Sequence, residues 1–435
     1  CPPGRAANRP SLLQGIVRCG GSSSFRRDRA DGFCRATAMN LILFEDDEAA
    51  HLQPLTLTRP VHDLRLGLAT IGERWRQALA ARRVAGVRRP HMKGLFPEPA
   101  RHPAETVWIN ARYLPAARLV AAIGRGDGPI RHGDDLVVAH ASAAQTAAWL
   151  KQGLPVARGR GQALAVESPL VLRHPWDLFR LAPAAIAAEA AASDQPSGPG
   201  PGFSGAAFID RPERLLMHPS AVVEPGAILI ADEGPIMLGA SARVMAGAML
   251  RGPVAVGDHA IVRMAARIYS GTVIGPHCRV GGEVSATVFH SYTNKAHEGY
   301  VGNSVFGQWV NLGADTTASN LKMTYGSVKV LDWSTGLEID TGEQFVGTIM
   351  GDHSKTGINS MLNTGTICGV SSIVVGSGFP ARAIPSFKWV QPGAVTDYRL
   401  DKALVDMERM MARRSVPLPP AYRRMMTAIY EMGRG

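Results

Sequence analysis

One histidine and two lysines are the candidate residues for proton transfer and phosphate binding. The segment TNKAHEGYVGN, residues 293–303, lies between stretches rich in glycine and small residues. Near neutral pH a histidine is the side chain best matched to taking a proton, so His297 is a candidate general base. Lys295 and Lys322 carry the charge that a phosphate group attracts. The alternative is that His297 is a polar residue at a solvated turn with no catalytic role. One histidine without an identifiable partner is weak evidence for catalysis by itself.

Three Gly-x-His triplets offer a different chemistry. They end at His259, His277 and His353, and the first two histidines are 18 residues apart. If that distance is one whole coil of a repeat, the two rings stack, and neutral histidines so arranged could bind zinc. No clear third ligand shares their column, and small and polar residues are ordinary at turns. The sequence therefore predicts no metal site, and a β-helical zinc enzyme of carbonic-anhydrase type stays an alternative.

The elements that must position these residues come from a repeat of six. From Leu238 an aliphatic residue returns every six positions, which indicates a short strand plus a turn, repeated. Three units close a triangular coil of about 18 residues, and the aliphatics stack into a continuous core. The positions in phase are Val222 and Ile228, then Leu238, Val244, Leu250, Val256, Val262, Ile268, Ile274 and Val280, then Tyr300, Phe306 and Leu312, and finally Met350, Thr356, Leu362, Cys368 and Val374. The sequence therefore predicts an all-β parallel β-helix.

The flanking regions have different patterns. Residues 39–180 alternate short strands with helices, which predicts an α/β layer with a mainly parallel sheet. The segment 321–346 breaks the repeat and reads as an inserted hairpin, with strands SVKV and QFV and a turn near STG. An alanine-rich helix and a Pro/Gly-rich stretch read as a linker, and two helices are predicted near the C-terminus.

Composition excludes several classes of function. The chain has 435 residues, 46% of them hydrophobic, which suits a globular protein of two or three domains. The net charge of +11 is uneven, because residues 1–38 hold seven arginines against two aspartates. No basic stripe with interleaved aromatics follows, so we expect no nucleic-acid partner and a surface suited to phosphorylated small molecules. Five scattered cysteines form no disulfide pattern and no stretch reads as a membrane span, so the cytoplasm is the expected location.

The second half of the chain resembles a known family. The stretches GPHCRVGGEVSATVFHSYTNKAHEGYVGNSVFGQWVNLGADTTASNLKMTYGSVKV and MGDHSKTGINSMLNTGTICGVSS resemble a variant branch of the bifunctional N-acetylglucosamine-1-phosphate uridylyltransferase/glucosamine-1-phosphate acetyltransferase family. The stretches LQPLTLTRPVHDLRLGLATIGERW and LRHPWDLFRL are similar to that branch's sugar nucleotidyltransferase-like domain. The resemblance implies a left-handed β-helix, a homotrimer, and use of acetyl-CoA with an amino-sugar phosphate.

The resemblance also assigns roles to residues of the β-helix. His297 matches the family's catalytic base, and Tyr300 matches a contact to the amino-sugar phosphate. Asn311 matches a substrate position, Ala314 a place where the backbone meets acetyl-CoA, and Asn320 a position next to substrate and cofactor. Lys295 is added as a substrate-binding cation on chemical grounds.

The chain departs from the family at a lysine that precedes the histidine segment. Glu283, in GGEVS, stands in the matching stretch. The loss of that cation predicts an acceptor other than glucosamine 1-phosphate.

The N-terminal half departs further, since LILF is followed by EDDEAAHLQPLTLTRP with no glycine-rich loop. Arg59 and Arg65 are then the candidate phosphate ligands for UTP or dTTP.

The family's metal-binding aspartate is also not evident, because VWINARYLP supplies Asn110 and Arg112. Carboxylates in EDDE, residues 45–48, are the alternative ligands for Mg²⁺ if this domain is active, and a solvated loop is the simpler interpretation.

The predicted organisation follows from these boundaries. Residues 1–38 are an upstream, disordered segment, 39–182 the α/β nucleotidyltransferase-like domain, 183–205 a helix and linker, 206–393 the β-helix acyltransferase domain, and 394–435 the C-terminal helices. The predicted function is acetyl transfer, with nucleotidyl transfer in the N-terminal domain. The alternatives are a nucleotidyltransferase with a regulatory or structural β-helix, the zinc enzyme, and a non-catalytic scaffold.

Overall fold

A computed structural model describes residues 39–86, 89–98, 105–152, 155, 162–163 and 170–433. The expected disorder of residues 1–38 concerns a segment outside these ranges. Within them, none of the helices has the length and apolar character needed to cross a membrane.

The N-terminal region is an α/β layer around a six-stranded sheet. The sheet consists of β1 (Asn40–Phe44), β4 (Arg83–Gly86), β5 (Thr106–Asn110), β6 (Ile130–His132), β7 (Asp135–Ala141) and β8 (Gln162–Ala163), and β2 (Arg65–Leu66) and β3 (Ala69–Thr70) pair with each other as a two-stranded sheet. Its helices are α1 (Ile71–Ala78), α2 (Ala117–Gly124), α3 (Ala143–Gln152) and α4 (Asp177–Ala191). The sheet order is β4-β1-β5-β7-β6-β8. Three of its five strand pairings are parallel, in line with the predicted mainly parallel sheet, and β7 is antiparallel to both β5 and β6.

The helix α1 shows how local sequence fixes an element here. Thr70 accepts a hydrogen bond from the backbone N–H of Glu73, and the Glu73 carboxylate accepts one from the N–H of Thr70. This reciprocal cap satisfies two amide groups that a helix start leaves without partners. The helix α1 is therefore one of the helices that the alternating pattern of residues 39–180 predicts.

The second region is a parallel β-helix with three sheet faces. Its strands are β9 (Phe208–Asp210), β10 (Leu215–Met217), β11 (Val222–Val223), β12 (Ile228–Ile230), β13 (Ile236–Leu238), β14 (Arg243–Val244), β15 (Met249–Arg251), β16 (Val254–Val256), β17 (Ile261–Val262), β18 (Arg267–Ile268), β19 (Thr272–Ile274), β20 (Arg279–Val280), β21 (Glu283–Ser285), β22 (Val288–Ser291), β23 (Asn294–Lys295), β24 (Tyr300–Gly302), β25 (Val305–Gln308), β26 (Thr317–Ala318), β27 (Lys329–Leu331), β28 (Glu338–Asp340), β29 (Ile349–Met350), β30 (Lys355–Thr356), β31 (Met361–Leu362), β32 (Ile367–Cys368), β33 (Ile373–Val374), β34 (Ala383–Ile384), β35 (Lys388–Gln391) and β36 (Ala394–Asp397).

Each face stacks one strand per coil. Face one runs β10-β13-β16-β19-β22-β25-β29-β32-β34, and face three runs β31-β26-β24-β21-β18-β15-β12-β9. Face two begins with β11-β14-β17-β20-β23 and continues in the sheet β30-β33-β35-β36. The β-helix that the six-residue period predicts is therefore confirmed.

The phase of the repeat is right in the middle of the β-helix and wrong at two places. All eight positions from Leu238 to Val280 are buried in the solenoid core. Upstream, Val223 and Leu229 point inward, one residue after the predicted positions. Downstream, Val301 is fully buried and Tyr300 is only partly buried, so Tyr300 is not a core position.

The insertion at 321–346 contains a hairpin whose second strand differs from the prediction. Strand β27 pairs antiparallel with β28, and the turn between them includes the predicted STG. The returning strand is thus Glu338–Asp340 and not QFV, whose Phe345 instead bridges to Leu321.

The outward-facing side chains of face one are apolar, and the α/β layer packs against them. Outward residues such as Met237, Ala255 and Val273 belong to the same core cluster as residues of β1, α1 and α4. The two regions are therefore packed through a shared hydrophobic interface and not merely joined by a linker.

Two C-terminal helices, α5 (Leu400–Ala412) and α6 (Pro420–Met432), confirm the predicted pair. Their methionines pack in a third cluster with Trp309 of the β-helix and Met92 of the N-terminal region. This packing fixes the C-terminal end of α5 beside face two.

Candidate functional site

His297 lies at the exposed corner between β23 and β24. Its ring makes no hydrogen bond with any described residue. It lines a cleft of about 380 Å³ together with Asn311 and Ala314, which come from the next coil. Asn311 is brought alongside by its parallel bridge to Asn294. Three residues that the sequence analysis assigned to one site are thus neighbours in space.

The other walls of this cleft carry positive charge. Arg279, at the start of β20, and Arg413, just after α5, both line it, and Ile358 adds an apolar surface. Neither arginine forms an ion pair with a carboxylate in the described part of the chain. The sequence analysis missed both residues, because it assigned the C-terminal helix no role.

A second cleft of about 430 Å³ continues from the first. The two share Arg279, Asn294, Asn311 and Arg413, so they form one trough between face two and α5. The remaining lining residues of the second cleft are Lys355, Asp406, Arg409, Met410 and Arg414. Asp406 is the only carboxylate among them, so the trough has a strong excess of positive charge.

Two of these cations are held by specific contacts. Arg414 donates a hydrogen bond from Nη2 to Oδ1 of Asn294 at 2.9 Å. Burial lowers the pKa of Arg414, and the neighbouring charge of Arg279 lowers it further. Lys355 donates to the carbonyl of His353 at 3.0 Å, and burial lowers its pKa to about 8.

Lys295 is not where a phosphate could reach it. It takes an inward position next to Val280 in the register of face two, and only 1% of it is exposed. Its Nζ donates to the carbonyl oxygens of His297 at 2.8 Å and of Glu298 at 3.3 Å. Burial lowers its pKa to about 8. In place of the expected substrate contact, Lys295 supports from inside the solenoid the turn that carries His297.

Tyr300 and Asn320 form a pair of their own. The Asn320 amide donates to the Tyr300 hydroxyl at 3.0 Å and to Oδ1 of Asn303 at 2.8 Å. Burial raises the pKa of Tyr300, and the bond from Asn320 opposes that rise. The ring lies against Gly302, where an added Cβ would be 2.2 Å from the hydroxyl oxygen. This pair is on face three and does not line the cleft of His297.

Arg59 is used inside the protein. It is 2% exposed, and its guanidinium pairs with Asp352 of the β-helix and, at 3.0 Å, with Asp63. Thr58 also donates to Asp352, at 2.8 Å. The expected phosphate ligand is therefore a buried link between the two regions, since its donors already have anionic partners.

Arg65 is also buried, with 8% exposed, and its Nη1 donates to the carbonyl of Leu68. Its place in the interior of the N-terminal region likewise differs from that of an open phosphate site.

The Glu45 and Asp46 carboxylates of the EDDE segment do not fit a magnesium site as they stand. Asp46 accepts two hydrogen bonds from Arg112, at 2.7 and 2.6 Å, and one from Asn110 at 2.6 Å. Glu45 is paired with Arg89 at 3.1 Å. Mg²⁺ needs free carboxylate oxygens, and here arginines occupy them.

The predicted histidine stack is present but holds no zinc ligand set. The rings of His259 and His277 are parallel, with centroids 5.0 Å apart. The next rings in the column are Tyr292 and Trp309, at 4.6 and 4.2 Å spacing. These residues occupy one corner of successive coils, and the column is a continuous aromatic stack. No group of three potential metal ligands occurs among the residues with a described structure.

Comparison with known proteins bears on the N-terminal region first. Residues 41–195 match the family model described as "Sugar nucleotidyl transferase". The resemblance of this region is thereby confirmed.

Curated relatives are named as bifunctional proteins. The "Bifunctional protein GlmU" of a Picosynechococcus species is 32% identical over 109 residues, which are 25% of this chain and 20% of that protein. The "Bifunctional sugar-1-phosphate nucleotidylyltransferase/acetyltransferase" of Sulfurisphaera tokodaii is 36% identical over 87 residues, 20% of this chain and 21% of that protein. The matched part thus spans about a fifth of the length of these relatives.

Solved structures with similar coils have low overall similarity. The UDP-N-acetylglucosamine acyltransferase from Campylobacter jejuni is 12% identical, with 53% of this chain and 96% of that chain covered and a TM-score of 0.28. The Arabidopsis UDP-N-acetylglucosamine acyltransferase is 13% identical, with 53% and 95% covered and a TM-score of 0.24.

Proposed function

We propose that the β-helix region catalyses N-acetyl transfer from acetyl-CoA to an amino-sugar phosphate. The observation that carries the proposal is the cleft that His297, Asn311 and Ala314 share. The name of the Sulfurisphaera relative, which includes acetyltransferase, supports the same reaction. The cytoplasm, where acetyl-CoA is available, is the location that goes with this proposal.

The reaction needs a free amine and a stabilised oxyanion. The acceptor nitrogen attacks the thioester carbonyl carbon, the C–S bond breaks, and CoA leaves as the thiolate. His297 takes the proton that the nitrogen loses and returns it to the thiolate sulfur. The backbone N–H of Ala314 is the proposed donor to the carbonyl oxygen as it gains charge.

The remaining assigned residues bind and orient. Asn311, which has both a donor and an acceptor in its amide, holds the acceptor sugar beside His297. The pair formed by Tyr300 and Asn320 lies on the neighbouring face and offers a hydroxyl and an amide to a second part of the substrate. We propose a homotrimer, in which adjacent copies enclose sites that one solenoid leaves open.

The test is a transfer assay with acetyl-CoA and a panel of amino-sugar phosphates, with products identified by mass. His297→Ala should lower the rate by about 10²- to 10⁴-fold, the usual contribution of a proton-transfer group. His259→Ala is the matched control, because His259 is an exposed corner histidine outside the cleft. Equal rates for wild type and His297→Ala would reject the mechanism.

Nucleotidyl transfer to a sugar 1-phosphate is the second proposed activity, for residues 39–182. The family match of residues 41–195 favours it, whereas the arginines bound to Glu45 and Asp46 work against a metal-dependent reaction there. Incubation with UTP or dTTP, a sugar 1-phosphate and Mg²⁺ tests it directly. Release of pyrophosphate that His297→Ala leaves unchanged would establish this activity in the N-terminal region.

A further inference from the structure

We propose that the trough between face two and the C-terminal end of α5 binds a phosphate-bearing ligand through Arg279, Arg413 and Arg414. The inference rests on the proposed acetyl transfer for its choice of ligands. It adds a role for the C-terminal helices, which would complete the binding site by supplying two of its three arginines.

The geometry is the first argument. Arg279 projects from β20, and Arg413 and Arg414 follow α5, yet Arg279, Arg413 and Asn294 all line the same space. The bond from Arg414 to Asn294, at 2.9 Å, ties the end of the helix to the solenoid. The trough is thus assembled from segments more than a hundred residues apart in the chain.

The unpaired charge is the second argument. Arg243 occupies the same outward column two coils earlier, and it pairs with Glu224 at 3.0 Å. Arg279, Arg413 and Arg414 form no ion pair with a described carboxylate. Like charges held together without a counter-charge repel one another, and a bound anion removes that cost.

The chemistry of the guanidinium selects the ligand. Its planar fork of donors matches the oxygens of a phosphate group and binds them in pairs. The two overlapping clefts, of about 380 and 430 Å³, are far larger than an isolated phosphate ion and extend to His297. A larger molecule whose phosphate lies among the arginines would therefore reach the proposed base.

The trough contains arginines that can replace the lysine that the resembling family has and this sequence lacks. The glycine pair at 281–282, with Glu283, replaces the family's lysine, and Lys295 is turned into the interior. Arg279 lies two residues before that pair and lines the cleft together with Arg413, which follows α5. These arginines supply positive charge beside His297, whereas Glu283 itself lies opposite Tyr300 on face three.

Two ligands of the proposed reaction carry such phosphates, namely the CoA donor and the acceptor sugar. Equilibrium binding by titration calorimetry separates them with four probes: CoA, 3′-dephospho-CoA, glucosamine 1-phosphate and glucosamine. The proteins are wild type, Arg279→Gln, Arg413→Gln and the control Arg243→Gln. All three substituted arginines are exposed, so their removal leaves the core unchanged.

The expected result is that Arg279→Gln and Arg413→Gln each weaken one phosphorylated probe by about 10- to 100-fold, the effect of a lost charge-assisted hydrogen bond. Arg243→Gln should bind like wild type. Wild-type binding should also weaken as KCl rises from roughly 50 to 300 mM. Weakening of CoA but not of 3′-dephospho-CoA assigns the arginines to the 3′-phosphate, and weakening of glucosamine 1-phosphate alone assigns them to the acceptor.

Affinities within about twofold of wild type for every probe, or no measurable binding of either phosphorylated class, would overturn the inference. Because the readout is binding, it is independent of turnover. Phosphate-dependent binding without acetyl transfer would reject the proposed function and keep this site, and acetyl transfer with unaffected binding in the variants would do the reverse.

Discussion

Replacement of Lys295 by methionine should change how the stability of the protein depends on pH. Methionine fills a similar volume without a charge, so the solenoid interior is preserved. In the wild type, burial lowers the pKa of Lys295 from 10.5 to about 8. Between these values the unfolded chain binds more protons than the folded chain, so the free energy of unfolding rises with pH.

The magnitude follows from the two pKa values. Each unit of pKa shift corresponds to about 1.4 kcal/mol, so the wild type should gain up to about 3 kcal/mol as the pH rises from 8 to 10.5. This stability is present above pH 10.5 and is lost as the pH falls through 8. The Lys295→Met protein has no such group. At neutral pH the variant is therefore stabilised relative to the wild type, because it buries no charge. It also loses the hydrogen bonds to the carbonyls of His297 and Glu298, at about 1 kcal/mol each, and this loss offsets part of that stabilisation.

The assay is urea unfolding followed by tryptophan fluorescence at several pH values between 7 and 11. The quantity compared is the difference in unfolding free energy between wild type and Lys295→Met, because other titrating groups cancel in it. Lys322→Met is the control, since Lys322 is partly exposed and donates to the carbonyl of Ser327 at 2.8 Å. A difference constant to within about 0.5 kcal/mol across this range would refute the reasoning.

The same substitution should also reduce acetyl transfer. Without the ammonium, the two carbonyls of the turn lose their anchor and His297 is less firmly placed. Displacement of a catalytic group by about 1 Å can cost 10²-fold in rate. We expect kcat to fall while KM for acetyl-CoA stays near the wild-type value. Partial unfolding would also lower the apparent kcat at constant KM, so kcat is calculated per folded protein, with the folded fraction taken from the urea unfolding curves.

Two further outcomes can be checked with single substitutions. Asp352→Asn should lower the free energy of unfolding in urea by about 3–5 kcal/mol, because it leaves Arg59 buried without its main anion. The control is Asp258→Asn, which changes the same position of another Gly-Asp-His turn that has no arginine partner in the described ranges, and it should cost about 1 kcal/mol or less. Equal losses in the two variants would contradict the role of the Arg59–Asp352 pair. Tyr300→Phe should raise KM for the acceptor and leave kcat within about threefold, whereas an unchanged KM would remove Tyr300 from the substrate site.

The six-residue period predicts the coil because every inward position of a regular solenoid obeys the same step. The prediction slips where the step shortens. Inward positions pass from Val284 to Phe289 and from Val301 to Phe306, a step of five. Extrapolation of six therefore placed Tyr300 in the core and missed Lys295, which follows Phe289 by six. A local irregularity at a corner leaves no periodic trace, and the turn that carries His297 is one such corner.

The periodic pattern of the sequence does not predict contacts between distant segments. Arg59 and Asp352 meet across 293 residues of sequence, and neither residue type nor spacing marks them as partners. Arg413 closes the cleft of His297 only because the methionines of α5 and α6 pack against Trp309. The helical pattern of the sequence predicts which face of each helix is hydrophobic. It does not predict which other surface of the protein that face packs against.

The two regions of the chain use their charged residues in opposite ways. At the carboxyl ends of β1 and β5, where open α/β sheets place their ligands, Arg112 lies between Asp46 and Asp135 at 2.6 and 2.9 Å and forms ion pairs with both. In the trough of the β-helix, three arginines have no carboxylate partner among the described residues. A site that has already paired its charges gains little from a charged ligand, whereas one that holds unpaired charge gains the full interaction. The physical case for ligand binding is therefore stronger in the β-helix, and the N-terminal region contributes to it through the surface that packs on face one and through the buried pair of Arg59 and Asp352.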